Sequence, residues 1–145
     1  MVRVEQPGGR RDHPEAVGVS IVAEGQVEVL RNGRWRKARE GTELTIKDSV
    51  RTGADALAQV EFYDADGESG AVATTIDLVP ESEISIEHFE ISKSLPRKRQ
   101  GFIDVAKGYL RAFTKGCATG SIFSVKAGTT VCGIRGSSVD ISFDP

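Results

Sequence analysis

Short runs of alternating apolar and polar residues recur along this chain, and they are punctuated by glycine, asparagine, aspartate or proline. Ala58, Val60 and Phe62 fall on one side of such a run, with Gln59 and Glu61 on the other. Val27 and Val29 flank Glu28, while Val139, Ile141 and Phe143 alternate with Ser138, Asp140 and Ser142. A period of two is that of a half-buried β-strand. Turn signals at a spacing of roughly eight to twelve residues then select an all-β sandwich or roll.

The punctuation is specific in places. Asn32-Gly33 is the strongest hairpin signal, because both residues tolerate positive φ. Glu40-Gly41, Lys47-Asp48, Gly53-Ala54-Asp55, Ala65-Asp66-Gly67 and Pro80-Glu81-Ser82 mark the turns that follow. Residues 1–15 are rich in proline, glycine and charge and read as a flexible N-terminal arm; residues 16–145 form the β domain. With 145 residues, the chain is one domain large enough to bury a core. The 16 glycines and single methionine suit a turn-rich β fold. The expected architecture is all-β: a single-domain β-sandwich or jelly-roll-like roll of about ten to twelve short antiparallel strands.

Phe102–Phe113 fits two patterns. Phe102, Val105, Ala106, Tyr109, Leu110 and Phe113 have helical spacing, but Gly108 in their midst costs a helix about 1 kcal/mol. Two strands broken at Lys107-Gly108 fit as well. Consistency with the neighbouring strands favours strand.

Charge and composition narrow the function. The net charge is −2 and the isoelectric point about 5.7, which argues against nucleic acid as a partner. No apolar run approaches the roughly 18 residues of a membrane span, so the domain itself is not expected to cross one. The two histidines are His13, in the arm, and His88, in a strand. Neither has a plausible serine or cysteine partner near it in sequence, so no catalytic site, metal or cofactor is expected. Asp64-Ala65-Asp66-Gly67-Glu68 opens like a calcium loop, but Thr75 stands where the closing carboxylate belongs, so the segment reads as a hairpin turn.

Four features remain as candidate sites. Cys117 and Cys132 allow one internal disulfide, closing a loop of about 16 residues worth roughly 3 kcal/mol; two unrelated buried thiols are the alternative. Arg34, Trp35 and Arg36 on the Asn32-Gly33 hairpin form a candidate binding surface, against the alternative of a solvated hairpin whose Trp35 packs on the sheet. Arg97-Lys98-Arg99 reads as an exposed loop. Arg135, between Gly133 and Gly136-Ser137, reads as a buried clamp on a structural turn, with Asp48 or Asp140 as its carboxylate, or else as a partner site.

Several pieces in order resemble a FecR-type domain, over about Val17 to Phe143. They are Gly25-Gln26-Val27-Glu28-Val29, Trp35, Gly41, Leu44, Asp48-Ser49-Val50-Arg51-Thr52-Gly53, Ala58–Phe62 and Asp66-Gly67. Val79-Pro80-Glu81-Ser82-Glu83-Ile84, Lys107-Gly108-Tyr109-Leu110-Arg111, Phe123-Ser124-Val125, Gly133-Ile134-Arg135-Gly136-Ser137 and Val139 follow. The family usually has Arg-Gly-Thr where this chain has Arg135-Gly136-Ser137. The resemblance implies a jelly-roll-like domain in the periplasm or otherwise outside the cytoplasm, with a signal or anchor supplied by a longer parent chain. It implies a non-catalytic protein-binding and signalling module of the bacterial cell envelope, whose partner is another envelope protein. A structural module associated with carbohydrate or peptidoglycan is the alternative.

Overall fold

The computed structural model describes residues 18–63, 72–91, 99–114, 122–134 and 138–145. They form twelve strands and their turns, with no helix among the described residues. In chain order these are β1 (Gly18–Glu24), β2 (Val27–Arg31), β3 (Arg34–Lys37), β4 (Glu43–Leu44), β5 (Ser49–Thr52) and β6 (Leu57–Tyr63). They continue with β7 (Val72–Leu78), β8 (Glu83–Ile91), β9 (Arg99–Thr114), β10 (Ile122–Ala127), β11 (Thr130–Ile134) and β12 (Ser138–Phe143). The Asn32-Gly33 hairpin forms as its sequence dictates, with φ of 54° and 78°, the backbone twist that suits a two-residue connection.

Both halves of the fold hang on β9. Its first half pairs with β8 on one side and β10 on the other; its second half pairs with β7 and β12. One half-sheet therefore runs β3-β2-β5-β8-β9-β10-β11, and the other β4-β1-β6-β7-β9-β12. Their apolar faces close on a single core, and the fold is sandwich-like. Phe62 of the second half-sheet lies 5.7 Å from Phe89 and 5.1 Å from Phe123 of the first, centroid to centroid. Gly101 leaves room for that cluster: a Cβ there would lie 2.5 Å from the Phe123 ring. All pairings are antiparallel except β9 with β10, which run parallel from Gln100↔Ile122 to Val105↔Ala127. A parallel neighbour requires a crossover, and the second half of β9, which leaves the ladder with β10 after Val105, is part of it.

Segment 102–113 is strand throughout, within the 16 residues of β9. Its mixed periodicity has a physical cause. Gly101, Ile103 and Val105 point inward in the first half, and Leu110, Ala112 and Thr114 in the second. The change of parity falls where Ala106 is skipped in the register with β8 and where Gly108 takes φ +101°. Two half-strands of opposite parity place apolar residues three and four apart, which imitates a helix.

β8 shows the same device. Ile84 and Ile86 are buried, then Glu87 drops out of the register and Phe89 takes the next inward place, leaving His88 exposed. The Glu87 carboxylate accepts hydrogen bonds from Lys47 Nζ (2.9 Å) and Ser85 Oγ (2.7 Å), which hold it below the usual carboxylate range.

The bend in β9 is locked from the turn before β8. Ser82 is 1% exposed. Its Oγ donates to Tyr109 O and accepts from Tyr109 N, both at 3.1 Å. Its N–H donates to Thr52 Oγ1 (2.9 Å), which itself donates to Val79 O (2.7 Å). Thr52 and Ser82 thus tie β5, the Pro80-Glu81 turn and the bend together with satisfied buried hydroxyls.

Candidate functional site

Strand parity divides the expected Arg34–Trp35–Arg36 surface. Arg36 lies opposite Val29, and Arg34 opposite Arg31. Directly opposed residues share a face, so Arg34 and Arg36 extend from the core side of the hairpin beyond its buried Val27, Val29 and Ala38. Trp35 faces the other way, because successive residues of a strand alternate. It is half-buried on the outer face, where the Arg51 guanidinium lies 3.8 Å from its ring centroid. Arg51 in turn binds Glu28 at 2.9 Å. The three residues are therefore two surfaces: a stacked Glu28–Arg51–Trp35 row outside, and a pair of exposed arginines on the other side.

The hairpin is anchored by a buried carboxylate. Asp48 is 2% exposed. Arg31 reaches it with Nη2 at 2.6 Å and Nε at 3.1 Å, and gives a further bond to Glu43 O at 2.8 Å. Thr45 N donates to the same carboxylate (2.9 Å). Asp140 binds Arg111 at 2.7 Å on the outer face of the other half-sheet. Arg111 holds the Asp140 carboxyl below the usual carboxylate range. Both carboxylates expected to serve Arg135 are thus occupied by other arginines.

Arg135, Gly136 and Ser137 themselves lie outside the described residues, as do residues 1–15 with His13, the Asp64–Glu68 turn, Arg97-Lys98 and Cys117. Gly133 is a strand residue rather than part of a turn: it sits in β11 opposite Ser124. Cys132 is a half-buried free thiol in the same strand. His88 is exposed and lies 3.3 Å from exposed Glu90. No group of three metal-type side chains gathers among the described residues, and these residues hold no helix long and apolar enough to cross a membrane.

Among the described residues four strands end the half-sheets, and they are guarded unequally. β4 is two residues long, which leaves little edge to pair. β3 carries Arg34, Arg36 and Lys37. β12 carries Asp140, held by Arg111. β11 has neither charge nor proline in its five residues, and its register with β10 is unbroken. Its Val131 is 57% exposed, more than any other large apolar side chain described.

Tyr109, Arg111 and Phe113 alternate along β9 and share the outer face of the second half-sheet. Tyr109 is 37% exposed and Phe113 50%. In sequence these aromatics look like core residues of a helix; only the parity change at Gly108 turns them outward.

No protein-family model matches this chain, and no curated protein or solved structure is significantly similar to it.

Proposed function

We propose that this chain is a non-catalytic, extracytoplasmic module of the bacterial cell envelope that binds another envelope protein in a FecR-like signalling role. We place the docking at the β11 edge. The observation that carries the reading is the contrast among the edges. An uncharged, unbroken edge presents backbone groups ready to pair with an extended segment, and β11 is the strand that keeps this character over five residues. The location and the signalling role rest on the resemblance over Val17–Phe143.

The test is affinity capture from detergent-solubilised envelope with the natural chain and with Val131→Lys as bait. Val131 is exposed, so the substitution changes stability by only about 0.5 kcal/mol while placing a charge on the edge. The natural chain is expected to retain a specific envelope protein and the variant to lose most of it. Equal retention by both baits would overturn β11 as the docking edge.

The outer face of β9 supports a second reading, a carbohydrate- or peptidoglycan-associated module. Tyr109 and Phe113 stand about 13 Å apart by strand rise, with the Arg111–Asp140 pair beside them. Exposed aromatic faces can pack on the apolar faces of sugar rings while neighbouring polar groups bind hydroxyls. Retention of sacculus fragments in the same capture, lost on glycan digestion, would favour this reading.

A further inference from the structure

β3 and β11 close opposite ends of one half-sheet, and they differ in charge. Beyond its ladder with β2, β3 has no strand partner among the described residues. Arg34 and Arg36 stand two residues apart on one face, with Arg31 across from Arg34. Asp48 meets the charge of Arg31. Among the described residues, no carboxylate lies within ion-pair distance of Arg34 or Arg36. With Val29, Arg31 and Thr42 these two line a groove of about 410 Å³.

Cations on an edge strand repel a second copy of the same strand. They attract a strand that carries carboxylates at matching positions, because opposite charges directly across a ladder stabilise it and like charges destabilise it. Arginine suits the task, since its planar fork can hold a carboxylate by two hydrogen bonds. We propose that β3 is a second docking edge, which takes an extended acidic segment of a protein partner with carboxylates at alternate positions opposite Arg34 and Arg36. The residue between the carboxylates faces the other side of the ladder, toward Trp35, so the segment reads acidic, apolar, acidic. This edge is separate from β11. Two docking edges at the two ends of one half-sheet would let the chain bridge two partners.

The probe is a synthetic peptide of about eight residues with glutamate at every second position and valine between. Its control has the same composition with the glutamates in one block. The alternating peptide is expected to bind the full chain more tightly than the control and to slow amide exchange in β3. Arg34→Glu with Arg36→Glu should weaken it by roughly tenfold or more, and added salt should weaken it for the natural chain. Both arginines are exposed, and Arg34→Gln with Arg36→Gln, which removes charge without reversing it, serves as the milder variant if the reversal does not fold. Val131→Lys should bind the alternating peptide as the natural chain does. The proposal is overturned if the alternating peptide does not bind, if both peptides bind alike, or if neither arginine variant weakens binding. Slowed exchange in β11 without change in β3, with binding lost in Val131→Lys, would also overturn it while leaving the β11 reading intact.

Discussion

Replacing Gly108 with alanine is expected to destabilise the fold by about 3–5 kcal/mol and to lower the melting temperature by more than about 10 °C. Two independent costs combine. The backbone at Gly108 has φ +101°, a conformation that side-chain-bearing residues rarely adopt. An added Cβ would also fall against the Ser82 side chain and 2.5 Å from the Ser82 Cα. Ser82 cannot retreat without breaking its two bonds to Tyr109 and its bond to Thr52. Shortening residue 82 does not solve the problem, because part of the obstruction is main chain. Gly108→Ala combined with Ser82→Gly should therefore remain close to Gly108→Ala alone. Thermal unfolding followed by circular dichroism decides it; a Gly108→Ala chain within about 1 kcal/mol of the natural one would show that the bend is not locked as described.

Arg31→Ala is expected to cost about 3 kcal/mol, far more than removal of an ordinary surface arginine. The reason lies in its partner. Asp48 is almost wholly buried, and truncating Arg31 leaves its carboxylate with only the Thr45 N–H as a donor among the described residues. The energy measured is chiefly that of stranding a buried charge, so removing both partners should cost less than the sum of the two single changes. Chemical denaturation of Arg31→Ala, Asp48→Ala and the double variant tests this as a cycle. Additive effects would mean that the contact seen between the two side chains carries no coupling. Because Asp48 also stands next to β5, where its carbonyl accepts from Ile86 N (2.9 Å), loss of the pair should loosen the β2–β3 hairpin and the strands beside it first.

These two sites mark where sequence reading reaches and where it stops. Strands such as β6 are plain in the alternation of Ala58, Val60 and Phe62, because local patterning alone decides which face is buried. The hairpin at Asn32-Gly33 is plain for the same reason: its backbone geometry is dictated by two residues. By contrast, Arg31 and Asp48 are 17 residues apart, and nothing local says that they meet. Arg135 stands out in the sequence because glycines lie close on both sides, while the arginines that hold Asp48 and Asp140 sit in ordinary strands. Register shifts are equally silent. One skipped residue at Glu87 moves Phe89 into the core, and the parity change around Ala106 and Gly108 turns Tyr109 and Phe113 outward. The parallel pairing of β9 with β10 depends on where the chain returns after a crossover, which alternation within either strand does not encode.

Strand alternation alone divides the candidate surface at Arg34, Trp35 and Arg36. Three consecutive strand residues cannot all face one ligand, because neighbours alternate. What the sequence could not supply was the identity of the neighbours that receive them: Arg51 and Glu28 for Trp35, and, among the described residues, a rim without a carboxylate for the arginines. The edges required the full strand order as well. A neutral β11 matters because it ends a half-sheet, and that position follows from pairings spread across the chain.

The most direct test of the proposed role is amide hydrogen exchange on the full chain, with and without the envelope protein retained in the capture. Docking on β11 predicts slowed exchange in Thr130–Ile134 when the partner is bound, with the outer face around Tyr109–Phe113 unchanged. Partner binding with unchanged exchange in Thr130–Ile134 would contradict strand addition at this edge.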